Sequence, residues 1–166
     1  AVTWVQVAVV FFLWYNEEKG GVVMKFYKNN AYPDVFLHDC QCKMIYDNQN
    51  LRLLFDNGFC IQTEKGIEQV KGYIQISDIP LSEITIRGYK RKNFFRKYVE
   101  IVKEIPFSEL CQILTNASLE IIDEYYSWGQ VLYKCCIYPY PKQQVFDRVE
   151  IVIFFENRMI EYYIEK

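Results

Sequence analysis

The chain has 166 residues, of which 51% are hydrophobic, 24% charged and 17% aromatic. That is the length of one domain with enough apolar matter for a core, which excludes a disordered chain. Five Pro and seven Gly exclude collagen-like and low-complexity character, and a formal charge of −2 excludes a chain that is basic throughout.

The first 15 residues, AVTWVQVAVVFFLWY, are almost wholly apolar, and Asn16-Glu17-Glu18-Lys19-Gly20-Gly21-Val22-Val23 follows before Met24. A transmembrane helix needs about 20 apolar residues, so this run is short. A signal peptide needs a basic start and a small-residue cleavage site, and neither is visible. Lys19-Gly20-Gly21 can be encoded by AAA-GGA-GGT, a bacterial ribosome-binding sequence about seven nucleotides before the Met24 codon. The expectation is that 1–23 is a non-native extension from a misassigned gene start and that 24–166 forms a single β-rich domain. If the segment is present, its Val and Phe content favours an added strand or a sticky arm.

From Met24 onward no linker, repeat or biased tract interrupts the chain. Cys40 to Tyr46 reads as a strand, Asp47-Asn48-Gln49-Asn50 as a turn and Leu51 to Phe55 as the second strand of a hairpin. Asp56-Asn57-Gly58 predicts another tight turn, because Asn-Gly tolerates positive φ, and Phe59 to Thr63 a third strand of a meander. Tyr73 to Ser77 and Glu83 to Gly88 are further strands separated by Pro80, and Lys97 to Ile105 alternates in part. One short helix is expected near 108–116: Ser108 suits the N-cap, Glu109 the positive end of the dipole, and Leu110, Ile113 and Leu114 share a face. Leu119 to Tyr126 and Gln130 to Tyr138 predict a hairpin around Ser127-Trp128-Gly129, ended by Pro139 and Pro141. Val149 to Phe155 and Met159 to Ile164 predict a last hairpin around Glu156-Asn157-Arg158. About nine strands at this spacing point to an α+β fold of mostly antiparallel sheet, a sandwich or partly open barrel, with one short helix. Val149, Ile151 and Ile153 alternate with Val152 and Phe154, so these strands are expected to be covered on both faces, by the helix or by another subunit.

Six Cys stand at 40, 42, 60, 111, 135 and 136. A chain this long and apolar needs no disulfide staples, so reduced thiols and a cytoplasmic location are expected. Cys40 and Cys42 share one face of a strand, whereas Cys135 and Cys136 point to opposite faces. There is no CxxC and His38 is the only histidine. A cluster of Cys40, Cys42, Cys60 and His38 is geometrically open, but free Cys mostly acts as a small buried hydrophobe, so no metal or cofactor is expected.

Three segments are candidates for chemistry. His38, Asp39 and Cys40 hold a base, a carboxylate and a thiol, yet neighbours on an extended chain point to opposite faces and rarely converge. Glu120, Asp123 and Glu124 could bind a cation, although solvated charges on a strand edge explain them as well. The sharpest signal is Arg87-Gly-Tyr-Lys-Arg-Lys-Asn-Phe-Phe-Arg-Lys-Tyr98. Arg87, Lys90, Arg91, Lys92, Arg96 and Lys97 are six of 19 basic residues with no acid between them, leaving 13 basic and 21 acidic residues elsewhere, a net −8. Such a run can steer an anionic partner, with Tyr89, Phe94, Phe95 and Tyr98 available to stack on bases; the plainer expectation is a basic hairpin tip whose aromatics face the core. No P-loop, GxGxxG, GxSxG or HExxH occurs.

The motifs LHDC at 37–40, LRLLFDNGFCI at 51–61 and LEIIDEYYSWGQVL at 119–132 resemble a family of small bacterial β-rich proteins with a Leu-His-Asp motif, and more loosely immunity proteins, which neutralise a toxin by binding it. The resemblance implies a non-enzymatic protein-binding module; the expected partner is another protein, or a second copy that covers the last strands, and no membrane is expected. The alternatives are a nucleic-acid or anion binder through 87–98, and a small metal or thiol enzyme around His38, Asp39 and Cys40.

Overall fold

In a computed structural model the chain is described at residues 13–16, 21–26, 35–63, 65–95, 97–127, 129–138, 146–156 and 160–165. These form twelve strands in one open antiparallel sheet and a single short helix. The strands are β1 (Leu13–Asn16), β2 (Gly21–Phe26), β3 (Val35–Phe36), β4 (Cys40–Asp47), β5 (Asn50–Thr63), β6 (Gly66–Ile76), β7 (Ile84–Phe94), β8 (Lys97–Glu104), β9 (Ser118–Ser127), β10 (Gln130–Tyr138), β11 (Arg148–Phe154) and β12 (Ile160–Glu165). Helix α1 (Phe107–Ile113) continues into a 3₁₀ turn at Leu114–Asn116. The spatial order is β1-β2-β12-β6-β5-β4-β9-β10-β11-β7-β8, with β3 also paired to β5.

Strand β4 joins the two halves. Cys40 to Cys42 pair with Leu119 to Ile121 of β9, while Lys43 to Asp47 pair with Asn50 to Leu54 of β5. A strand that changes partners along its length turns a corner and brings two inner faces together. Asp39, at φ 60, makes the bend before it, and its N–H donates to the Ile121 carbonyl at 2.8 Å. Apolar residues of every strand from β3 to β12 except β8, with Leu110 and Leu114 from the helical segment, form one buried cluster between the halves. Alternation follows the pleat: Val131, Tyr133, Cys135 and Ile137 of β10 are buried while Leu132, Lys134 and Cys136 are partly exposed.

Several expectations need correction. Asp56-Asn57-Gly58 does not end a strand: β5 runs through it, and residues 56–58 bulge out opposite Lys71 of β6. Gly58, at φ +79, supplies the positive angle inside the bulge, and a Cβ there would lie 2.2 Å from the Val70 carbonyl oxygen. The meander is therefore one long hairpin. The expected last hairpin does not form either, since β11 lies between β10 and β7 whereas β12 lies between β2 and β6. Phe155 and Glu156 both donate N–H to the Gly129 carbonyl, at 2.8 and 3.0 Å. These bonds hold the end of β11 to the β9–β10 turn, from which the chain crosses to the other half. The helix begins one residue before Ser108, with Pro106 as its N-cap and no side-chain cap, because the Pro106 carbonyl accepts from Glu109 and Leu110. On β11, Val149, Ile151 and Ile153 are buried, but Val152 is only partly covered and Phe154 is 43% exposed, so the described residues do not cover the outer face. Among the described residues no helix is long and apolar enough to cross a membrane.

Candidate interaction surface

His38, Asp39 and Cys40 lie at the corner that leads into β4. His38 Nδ1 donates to the Ile122 carbonyl, and its Nε2 is 3.4 Å from the Asp39 carboxylate. The Cys40 thiol faces instead the carbonyls of Phe36 and His38, at 3.8 and 3.7 Å. Burial, with Cys60 and Glu124 nearby, pushes this thiol up to about 11, so it is protonated at neutral pH. The imidazole and the thiol thus serve different partners, and neither activates the other. Cys42 points into the core, and all six cysteines are free thiols. Among the described residues no three His, Cys, Asp or Glu side chains converge as a metal site.

Glu120 is not on an edge, since it pairs with Gln41 of β4 on one side and Cys136 of β10 on the other, whereas Asp123 and Glu124 lie beyond the Leu119–Ile121 stretch that β4 covers. Lys134 pairs with Asp123 but Cys135 pairs with Ile121, so Ile122 is an extra residue on β9. This bulge shifts the alternation, turning Ile121 and then the half-buried Glu124 inward and leaving Asp123 exposed. Glu124 accepts from the Leu37 N–H and from the Tyr126 hydroxyl, both at 3.1 Å, and Tyr126 meets Tyr162 at 3.2 Å between hydroxyl oxygens. Burial raises the Glu124 carboxyl above its ordinary value despite those bonds. Nothing in the sequence pattern announces this bulge, since the even run of apolar residues in LEIIDEYY fits either register.

An apolar groove of about 960 Å³ opens beside the helix, lined among others by Met44, Ile45, Tyr46, Ile84, Phe107 and Cys111. The Tyr46 and Phe107 rings meet at 5.7 Å, and burial raises the Cys111 thiol.

The basic run forms the β7–β8 hairpin at one end of the sheet. Phe95, at φ 46, turns the tip, and Arg87, Arg91, Lys92 and Lys97 are exposed while Lys90 is partly so. Arg96 and the Phe94 side chain lie outside what is described. The expectation that the aromatics face the core is overturned at the tip: Phe95 is 90% and Tyr98 77% exposed. Tyr89, further back, is half-buried; its hydroxyl donates to Glu150 at 2.5 Å and its ring lies 4.3 Å from the Arg148 guanidinium.

A run without acids in sequence is not without acids in space. Arg87 pairs across the hairpin with Glu104 and Arg91 with Glu100, and Arg148 sits 3.6 Å from Glu100 and 3.8 Å from Glu150. Three arginines and three glutamates therefore share the outer face of this end of the sheet. The Arg91 N–H also donates to Asp147 at 2.5 Å. Lys90, Lys92, Lys97 and Lys103 alternate to the other face, beside Val99 and Ile101, and Lys103 pairs with Glu109 of α1 at 3.0 Å.

Strand β8 is the most open element described. All eight of its residues are exposed, including Tyr98, Val99, Ile101 and Val102, and among the described residues it pairs on one side only, with β7. The Ile105 N–H donates to the Ile86 carbonyl at 3.0 Å, which sets the hydrogen-bonding phase of the hairpin. Odd-numbered residues of β8 turn their backbone groups to β7, so Tyr98, Glu100, Val102 and Glu104 present N–H and C=O to the free edge. No protein family, curated protein or solved structure matches this chain.

Proposed function

We propose that the protein is a non-enzymatic, cytoplasmic protein-binding module that takes an extended strand of its partner onto the β8 edge. The observation that carries this reading is an eight-residue edge strand whose apolar residues are exposed and whose outward backbone groups lie at the end of the sheet. Unpaired edges of this kind template the addition of another strand, with backbone bonds giving affinity and alternate side chains giving selectivity. A protein strand suits the edge better than a nucleic acid, because Arg87, Arg91 and Arg148 already face Glu104, Glu100 and Glu150. Six free thiols suit a reducing compartment, and binding without chemistry is the role of the immunity proteins that the motifs resemble.

A photoreactive residue in place of Tyr98, in protein expressed in the cells its gene comes from, tests this reading. Tyr98 is 77% exposed, so the change leaves the core alone. A discrete protein adduct is expected at position 98 and none from the same residue at the exposed Lys43 on β4. An adduct to another protein or to a second copy supports the reading. No adduct at 98, or equal adducts at both positions, overturns it.

A further inference from the structure

We infer that the occupant of the β8 edge is a second copy of β8, paired antiparallel about a two-fold axis at Ile101, so that two sheets join into one. This rests on the reading of β8 as a pairing edge and adds the identity of the strand and its register.

The inference comes from the order of charges along Lys97-Tyr98-Val99-Glu100-Ile101-Val102-Lys103-Glu104. A two-fold axis normal to the sheet places some residue opposite its own copy, and like charges directly opposite each other are destabilising. Centring on Glu100 sets Glu100 against Glu100 and Lys97 against Lys103. Centring on Val102 sets Glu100 against Glu104, and centring on Lys103 sets Lys103 against itself. Centring on Val99 engages only the tip half of the strand. Centring on Ile101 alone pairs the strand through its whole length with no like charges opposite: Ile101 meets Ile101, Val99 meets Lys103, Glu100 meets Val102, and Tyr98 meets Glu104.

The backbone phase agrees with this register. Ile101 turns its backbone to β7, so across the new seam it makes a non-hydrogen-bonded pair, the closer of the two kinds, with Cα atoms about 4.5 Å apart. Glu100 and Val102 on either side, and Tyr98 and Glu104 beyond them, exchange their outward N–H and C=O groups. Val99 and Ile101, now 47% and 42% exposed, come to lie against the apolar stem of Lys103 and against each other. The Glu100 and Glu104 carboxylates of both copies gather on the outer face, where Arg91 and Arg87 stand beside them on β7.

Sedimentation of the purified full-length protein under reducing conditions reads the inference directly. A mass near twice 20.0 kDa is expected, and loss of that species in Ile101→Lys with unchanged circular dichroism. Ile101→Cys supplies a second readout that does not depend on losing binding. Cα atoms at the distance of a close antiparallel pair suit a disulfide, so this variant gains a covalent dimer on oxidation. Val99→Cys puts its two copies four residues out of step, ~14 Å apart, and gains none. A monomer at every concentration, an Ile101→Lys dimer as tight as the wild type, or equal cross-linking by both cysteine variants overturns the inference. If the protein is monomeric yet position 98 still yields an adduct with a different protein, self-pairing fails while the edge reading stands; if both experiments are negative, both fail.

Discussion

Glu124 shows how one inserted residue sets the chemistry of a core. The bulge at Ile122 turns Glu124 inward, where it accepts from Leu37 and Tyr126 near the buried Tyr162. Those bonds favour the carboxylate, but burial outweighs them and the carboxyl is raised above its ordinary 4.5. A carboxyl that holds its proton more readily folded than unfolded stabilises the fold fully below the unfolded value. That contribution is lost as pH rises through the folded value. Replacing Glu124 by Gln keeps an acceptor for the Leu37 N–H and removes the titration. Denaturant titrations from pH 4 to 8 should show the variant gaining on the wild type as pH rises above 4.5, with no such trend below it. A constant difference across the range would show that burial of this charge does not govern the site. The same bulge decides the fate of His38, whose Nδ1 is held by the Ile122 carbonyl rather than aimed at Cys40.

At the level of elements, the bulge in β5 lets one strand run for 14 residues past a turn-like sequence. Gly58→Ala forces a Cβ into the left-handed region and against the Val70 carbonyl, 2.2 Å away, so the change should cost ~2–4 kcal/mol in a denaturant titration. A loss below ~0.5 kcal/mol, the level of an ordinary surface change, would mean the bulge does not require glycine. Local signals were readable where the chemistry is local. The turn at Asn48-Gln49, both at positive φ, the β9–β10 hairpin and the helical segment ending at Asn116 all lie where their residues place them. Asn57-Gly58 misleads because positive φ serves a bulge as well as a turn; the bulge is shown by β5 pairing with β6 on both sides of it, Phe55 with Gly72 and Phe59 with Val70, and Gln69 of β6 donates to the Asn57 carbonyl at 2.8 Å. Glu156 carries turn-like residues too, but its N–H bonds to Gly129, a partner far away in sequence. Alternation identifies strands; it does not say which strands pair.

For the whole molecule, an open sheet folded at β4 hides one face in the core and leaves β8 at an end. The basic run is plain in the sequence, but its neutralisation by Glu100, Glu104 and Glu150 is not, because those acids arrive from the other arm of the hairpin and from β11. The exposure of Phe95 and Tyr98 was equally hidden, since an aromatic residue at a hairpin tip reads as core until the hairpin is seen to extend past it. These features support the inference that a second copy of the chain pairs with β8. Amide hydrogen exchange on the purified protein across a concentration series tests that claim most directly. The N–H groups of Val99, Ile101 and Lys103 bond to β7 and report that the hairpin is intact, whereas those of Tyr98, Glu100, Val102 and Glu104 face the edge. The four edge amides should become protected as concentration rises and lose that protection in Ile101→Lys, while the other three stay protected throughout. Edge amides that exchange as fast as unprotected ones at every concentration would contradict self-pairing at β8.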